Sequence, residues 1–168
     1  ETATTVAGSL GATNFPNSGA ASAQPDFMRG LLLLHSFEFD AARQSFRAAQ
    51  AQDPGFVMAY WGEALSHNMP IWGEQDLEAA RAVLQRLGPT REARMAKAAT
   101  ERERGYLASV DVLYGDGTKV ERDARFNRAL GELAGKYPED LDARSFYALS
   151  WLGLSGATRN TANYMRAA

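Results

Sequence analysis

The chain of 168 residues contains no cysteine. This absence excludes disulfides, thiolate metal sites and cysteine nucleophiles. Long apolar runs are missing too, since the stretch GLLLLHSF (residues 30–37) is far shorter than the roughly 18 residues of a membrane span. No membrane-spanning segment is therefore predicted.

An excess of charge of either sign is also missing, because the net charge is −2 with both histidines neutral. Basic residues are scattered among acidic ones, so no electrostatic footprint for nucleic acid is present. Hydrophobic residues make up 45% of the chain, which is enough for a core. The length suits one domain or one short repeat array.

The first 24 residues are small and polar, and they predict a flexible N-terminal arm. Phe15 and Pro16 are the exception, because they could dock on the rest of the protein. Helical periodicity dominates from residue 25 onward, so residues 25–168 are predicted to form a helical domain.

Proline and glycine fall between periodic segments and not within strands, which predicts an all-α fold of about seven to eight helices. No segment shows strand alternation of useful length. The predicted helices are Asp26–Ser36, Asp40–Ala51, Phe56–Asn68, Glu74–Leu87, Arg91–Tyr114, Thr118–Lys136, Leu141–Leu154 and Asn160–Ala168.

Five residues of the first helix pair have the spacing of a tetratricopeptide repeat: Gly30, Ala42, Phe46, Ala49 and Pro54. Small residues let the two helices approach, a large apolar residue fills the gap and a proline ends the pair. The spacing predicts a right-handed α-solenoid of antiparallel helix pairs. The closing segment NTANYMRAA begins a helix with no capping unit, so we expect an array truncated at its C-terminal end.

Residues 11–168 also resemble one group of bacterial tetratricopeptide proteins. The sequence segments that carry the resemblance include FPNSGAASAQPDFMRGLLLLHSFEFDAARQSF, DPGFVMAYWGEALSHNMPIW, RERGYLASVDVLYGDG and KYPEDLDARSFYALSWLGL. The resemblance implies an export signal, hence a periplasmic or secreted location, with the cytoplasm as the alternative. It also implies further repeats with a His-rich segment. Group members often read His-Asn-His-Pro where this chain reads HNMP, from His67 to Pro70.

Helical repeats present a concave surface, which predicts a scaffold that binds a protein or a peptide. The partner could also be the chain's own missing C-terminal half or a second copy. No nucleophile elbow, phosphate loop or dinucleotide-binding fingerprint is present, so no catalytic residue is predicted. The predicted contact residues are His35, Tyr60, Glu63, His67, Asn68 and Trp72.

A divalent metal ion is the alternative ligand, held by His35, Glu63 and His67. Two histidines and one carboxylate form a known ligand set, and repeat register could bring these three together. A missing C-terminal half would then complete the site of a metal-binding protein or metal-dependent enzyme. The competing interpretation is that both histidines cap helix ends. The carboxylates of the segment ERERG (residues 101–105) are expected on a solvated helix face.

Overall fold

A computed structural model describes residues 10–154 and 161–168 of the chain. Within these residues the protein is all-α, with nine α-helices, a short 3-10 turn and one two-stranded hairpin. The helices are α1 (Gln24–His35), α2 (Phe39–Gln52), α3 (Val57–Leu65), α4 (Leu77–Leu87), α5 (Arg91–Met95), α6 (Glu101–Leu113), α7 (Lys119–Lys136), α8 (Leu141–Gly153) and α9 (Thr161–Ala167). The hairpin strands are β1 (Asn68–Met69) and β2 (Glu74–Gln75).

Helices that follow one another along the chain pack together through most of the fold. The pairs α1–α2, α2–α3, α3–α4, α6–α7, α7–α8 and α8–α9 are all in contact, and α6 also packs on α3. The predicted all-α class is confirmed, while the solenoid arrangement stays a prediction. Of the described helices, none combines the length and the apolar character needed to cross a membrane.

Phe46 of α2 explains the spacing of small residues in the first helix pair. A Cβ atom added at Gly30 of α1 would lie 2.9 Å from the Phe46 ring, and one added at Gly62 of α3 would lie 2.4 Å from it. The ring is fully buried and fills the space that these two glycines leave. Three helices therefore meet at one aromatic side chain, which only glycine at both positions permits.

The single helix predicted over Arg91–Tyr114 is wrong, because the chain breaks between Met95 and Glu101. Thr100 starts α6 with a capping box, in which its hydroxyl accepts from the Glu103 N–H and the Glu103 carboxylate accepts from the Thr100 N–H. These two hydrogen bonds satisfy backbone N–H groups that lack a partner where a helix begins. In a continuous helix the same groups would bond to the preceding turn. Glu103 is buried, whereas the solvated face predicted for this segment holds for Glu101.

Residues 10–24, the described part of the predicted arm, lie against the helices. Phe15 is buried among Phe27, Trp61 and Tyr106, at centroid distances of 5.1 to 5.8 Å. The Ser18 backbone N–H and hydroxyl both donate to the buried carboxylate of Glu103, each at 2.7 Å. Over residues 10–24 the chain is thus a strap that belongs to the folded domain. Residues 1–9 lie outside the described part.

Candidate interaction surface

The turn between α1 and α2 places a bulky residue where helices usually have glycine. Helix α1 ends in a Schellman motif, in which the Glu38 N–H donates to the Leu33 carbonyl at 2.9 Å and the Phe37 N–H to the Leu34 carbonyl at 3.1 Å. Phe37 occupies the left-handed position of this motif, with a φ of 62°. Glycine is preferred there, because a Cβ atom makes left-handed backbone costly.

The hairpin between α3 and α4 carries a second exposed aromatic residue, Trp72. Strand β1 pairs with β2 in antiparallel register, with Asn68 opposite Gln75. The turn is closed by the Trp72 N–H, which donates to the Met69 carbonyl at 3.1 Å, and Gly73 has a φ of 71°. The backbone of the hairpin therefore fixes the position of Trp72. No strand was predicted for this segment.

Phe37, Phe39 and Trp72 form a cluster that we call the aromatic trio. The Trp72 ring lies 6.1 Å from the ring of Phe37 and 6.1 Å from that of Phe39, and the two phenylalanine rings lie 6.2 Å apart. Trp72 is 58% exposed and Phe37 is 38% exposed, while Ile71 beside Trp72 is 49% exposed. These residues bring two turns, distant in sequence, into one apolar surface.

Two concavities border this surface. One, of about 340 Å³, is lined by Phe37 and His35 together with the α8 residues Phe146, Leu149 and Leu152. The other, of about 360 Å³, lies beside Trp72. It is lined by Ile71 and Trp72 of the hairpin, by Lys119, Val120 and Asp123 of α7, and by Gly153 and Leu154 at the end of α8.

The predicted contact surface is largely buried, so it needs correction. Tyr60 and Glu63 are buried because α3 lies between α2, α4 and α6. His67 and Asn68, which follow α3, are buried as well. His35 is half-buried and Trp72 is exposed. Trp72 alone of the six predicted contact residues is therefore freely accessible, and it lies with Phe37 and Phe39, which were not predicted.

Glu63 is fully buried, yet its carboxylate is well neutralised. One oxygen accepts from Arg47 Nε at 2.6 Å, and the other accepts from Gln50 Nε2 at 2.7 Å and from Arg86. A buried carboxylate needs such partners, because losing solvent costs more free energy than a single pair returns. Glu63 therefore joins α2, α3 and α4 and is not offered to a ligand.

His67, two residues beyond the end of α3, is buried, and its Nε2 atom has no hydrogen-bond partner in the described part of the chain. Burial lowers the pKa of His67 below its ordinary value, and the nearby Arg43 lowers it further. Asp76 and Glu63 act in the opposite direction on this pKa, but more weakly. The neutral imidazole is therefore favoured to a lower pH than in an ordinary histidine.

His35 binds a different partner, because its Nε2 lies 2.8 Å from Asp142 Oδ1 in α8 and its ring stacks on Phe146 at 4.7 Å. The three predicted metal ligands therefore have separate partners or none. Across residues 10–154 and 161–168, no group of three or more His, Asp or Glu side chains is placed to hold a metal ion.

Comparisons with protein-family models, with curated proteins and with solved structures find no match to this chain in any of the three. The tetratricopeptide interpretation therefore rests on sequence spacing and on the resemblance. The sequence did hold a signal for Phe37 and Phe39, since the segment HSFEF places two aromatic residues at a break between helices.

Proposed function

We propose that this chain is a binding module for a protein or peptide, and that the partner docks on the aromatic trio and Ile71. The observation that carries the proposal is Phe37, a large side chain held exposed by left-handed backbone. Strain of this kind costs about 1–3 kcal/mol and is typical of functional sites. The helix pairs would act as a tetratricopeptide-type scaffold for this surface.

The chemistry of the surface supports a partner of this class. Aromatic side chains are enriched in the cores of protein interfaces, and tryptophan is among the residues that contribute most to binding, because it buries a large area at low cost in conformational entropy. Trp72 and Ile71 are each about half exposed, and Trp72 borders one concavity while Phe37 borders the other. A bound segment that crosses the trio could therefore place side chains in both concavities.

A random library of displayed 12-residue peptides, selected on the wild-type protein, tests this proposal. Peptides selected on wild type should lose most of their binding to Trp72→Ala, because that change removes the central ring. Leu141→Ala is the matched control. Leu141 is also an exposed apolar residue, but it lies at the first residue of α8, the opposite end from the concavity beside Trp72. Equal binding to wild type and to both variants would contradict the proposal.

The same variants separate a foreign partner from a second copy of the chain. Sedimentation of the wild-type protein alone at increasing concentration should show one species of constant mass. A dimer that forms in wild type and is lost in Trp72→Ala would assign the surface to self-association. In that case the foreign-peptide proposal would be wrong.

A further inference from the structure

Over residues 11–20 the strap is held against the helices by a single buried side chain. Phe15 is buried, whereas the other residues of this stretch are exposed or half-buried. Residues 11–18 form neither helix nor strand. A peptide bound in a groove has the same arrangement, with one anchor side chain in a pocket and little burial elsewhere.

The backbone of the strap is bound by two charged side chains of α6. The Ser18 N–H donates to the Glu103 carboxylate at 2.7 Å, and the Pro16 carbonyl accepts from Arg102 Nη1 at 2.7 Å. The Arg102 guanidinium also lies over the Phe15 ring, 4.2 Å from its centroid. Hydrogen bonds with a charged partner are stronger than neutral ones. Because these two bonds reach the main chain, they would form with any segment that follows the same backbone path.

Four helices contribute to the surface under the strap. Phe15 lies against rings on α1, α3 and α6, and the Thr13 hydroxyl donates to Asp142 of α8 at 3.2 Å. We call this surface the strap groove, and it consists of Phe27, Trp61, Arg102, Glu103, Tyr106 and Asp142. The groove shares no residue with the aromatic trio, so the two surfaces can be tested independently.

A cavity borders the strap where it faces the turn between α7 and α8. Its volume is about 630 Å³, and it is lined by Ala12 and Asn14 of the strap, by Tyr137 and Pro138 of the turn and by Leu141 at the start of α8, together with charged side chains. Ligand pockets have volumes in this range. A methyl group is small for such a space, so a larger apolar side chain at position 12 would bury more area against Tyr137 and Leu141.

We propose that the strap groove is a second peptide site, which residues 12–18 of the same chain occupy. The partner assigned to it is a non-helical segment with a Phe-Pro anchor and a large apolar residue three positions before the phenylalanine. The strap supplies the first part of this specificity, and the cavity beside Ala12 supplies the second. A tethered strap competes at an effective concentration on the order of millimolar, so the partner needs this additional contact to displace it.

Three synthetic peptides with blocked ends test the proposal. The strap peptide is GATNFPNSGAA, which copies residues 11–21. The leucine peptide, GLTNFPNSGAA, carries the change Ala12→Leu, and the anchorless peptide, GLTNAPNSGAA, carries Phe15→Ala as well. Isothermal titration calorimetry measures their binding to the full chain with Phe15→Ala, whose own strap has lost its anchor.

We expect the Phe15→Ala protein to bind the leucine peptide at least about threefold more tightly than the strap peptide, because the larger side chain buries more apolar area. The anchorless peptide should bind at least about tenfold more weakly than the leucine peptide, since a buried aromatic anchor contributes most of such an interface. The wild-type protein should bind each peptide at least about tenfold more weakly than Phe15→Ala does, because its own strap competes.

Two further substitutions in the Phe15→Ala protein locate the bound peptide. Leu141→Ala should remove the advantage of the leucine peptide over the strap peptide, because Leu141 borders the cavity. Trp72→Ala should leave every affinity within about twofold. For this site Leu141→Ala is therefore the disruptive change and Trp72→Ala the control, which reverses their roles in the test of the aromatic trio.

Thermal unfolding provides a readout that does not require Phe15→Ala to be folded on its own. At about 1 mM, near the effective concentration of a tethered strap, the leucine peptide should raise the unfolding temperature of Phe15→Ala or restore its folding. Phe126→Ala is the matched control, because it also removes a buried phenylalanine, in α7. The peptide should leave the unfolding temperature of Phe126→Ala unchanged.

The failures of this inference are distinct from those of the proposed function. Neither binding nor stabilisation of Phe15→Ala by the leucine peptide would overturn the second site. Equal affinity for wild type and Phe15→Ala would place the peptide outside the groove, and equal affinity of the anchorless peptide would overturn the anchor. A leucine peptide that binds no more tightly than the strap peptide would overturn the assigned partner. In each case library peptides that depend on Trp72 would still support the proposed function.

Discussion

At the residue scale, Phe37 has a backbone conformation that is unfavourable for a residue with a side chain. The hydrogen bonds of the α1 terminus require left-handed backbone at this position, and glycine would adopt it without strain. The side chain that causes the strain is also one that the protein exposes. This combination of strain and exposure is the observation on which the proposed binding function rests.

Two substitutions at this position measure the strain directly. Both Phe37→Ala and Phe37→Gly remove the ring, but only alanine keeps a Cβ atom in left-handed backbone. We expect the glycine variant to have a free energy of unfolding about 1 kcal/mol higher than that of the alanine variant. Urea denaturation of the two proteins provides the measurement.

The neighbouring Ser36 is the matched control for this pair. Its φ of −90° is one that alanine adopts without strain, so Ser36→Ala should be at least as stable as Ser36→Gly. If alanine proves as stable as glycine at position 37 also, Phe37 is not strained, and the observation that carries the proposed function is lost.

His67 gives the protein a predictable dependence on pH. Its pKa is lowered in the folded state, chiefly by burial, so the unfolded chain takes up this proton at a higher pH than the folded chain does. The contribution is absent well above pH 6.5, and the protein loses stability as the pH falls below that value. The slope from one such group is at most about 1.4 kcal/mol per pH unit.

Comparison of wild type with His67→Gln isolates this residue from the carboxylates, which titrate in both proteins. Between pH 7.5 and pH 5.0 the free energy of unfolding should fall more steeply in wild type than in the variant. Urea denaturation at several pH values measures both slopes. Parallel slopes would show that His67 keeps an ordinary pKa.

At the scale of elements, the caps decide which predicted boundaries hold. The helix predicted over Thr118–Lys136 agrees with α7 to within one residue, because proline and glycine breaks flank it. The helix predicted over Arg91–Tyr114 fails because residues 96–100 contain neither proline nor glycine, although Thr100 and Glu103 have capping-box spacing. The Thr-x-x-Glu pattern of residues 100–103 is the feature of the sequence that marks this helix start.

The strap shows that amino-acid composition alone does not predict whether a segment packs on the domain. Small and polar residues are poor core formers, which is why residues 1–24 predict a flexible arm. One aromatic side chain and a few hydrogen bonds are enough to dock residues 10–24, since Phe15 lies in the core and Ser18 binds Glu103. The same Glu103 caps α6, so the start of α6 and the strap are stabilised together.

Phe15→Ala tests the docking of the strap. We expect the free energy of unfolding to fall by about 3–5 kcal/mol, as for a buried phenylalanine elsewhere. Val120→Ala, on the exposed face of α7, should change it by less than about 0.5 kcal/mol. Equal effects of the two substitutions would mean that residues 10–24 do not pack as described. If Phe15→Ala does not fold, Phe15→Leu provides a milder comparison.

At the scale of the whole molecule, periodicity predicted the fold better than it predicted the surface. Helical spacing identified the all-α class and the contact of Phe46 with Gly30. Accessibility depends on which third helix covers each face, and no spacing within one pair reveals this. Tyr60 and Glu63 were therefore predicted on a groove but lie under neighbouring helices, and His67 is buried too.

The accessible surface is instead built from two turns, the one between α1 and α2 and the β1–β2 hairpin. Their meeting is a tertiary event, since Phe37 and Trp72 come from different helix pairs. The sequence shows both aromatic residues, but their proximity in the fold could not be predicted from it. The binding function proposed for this chain depends on that proximity.

The most direct test of this account is the dissociation constant of one library-selected peptide, measured by isothermal titration calorimetry for wild type, Trp72→Ala and Leu141→Ala. The account predicts that Trp72→Ala raises the constant at least about tenfold, since central aromatic contacts contribute most to interfaces. Leu141→Ala should leave it within about twofold. Equal affinity for wild type and Trp72→Ala would contradict the assignment of the binding surface to the aromatic trio.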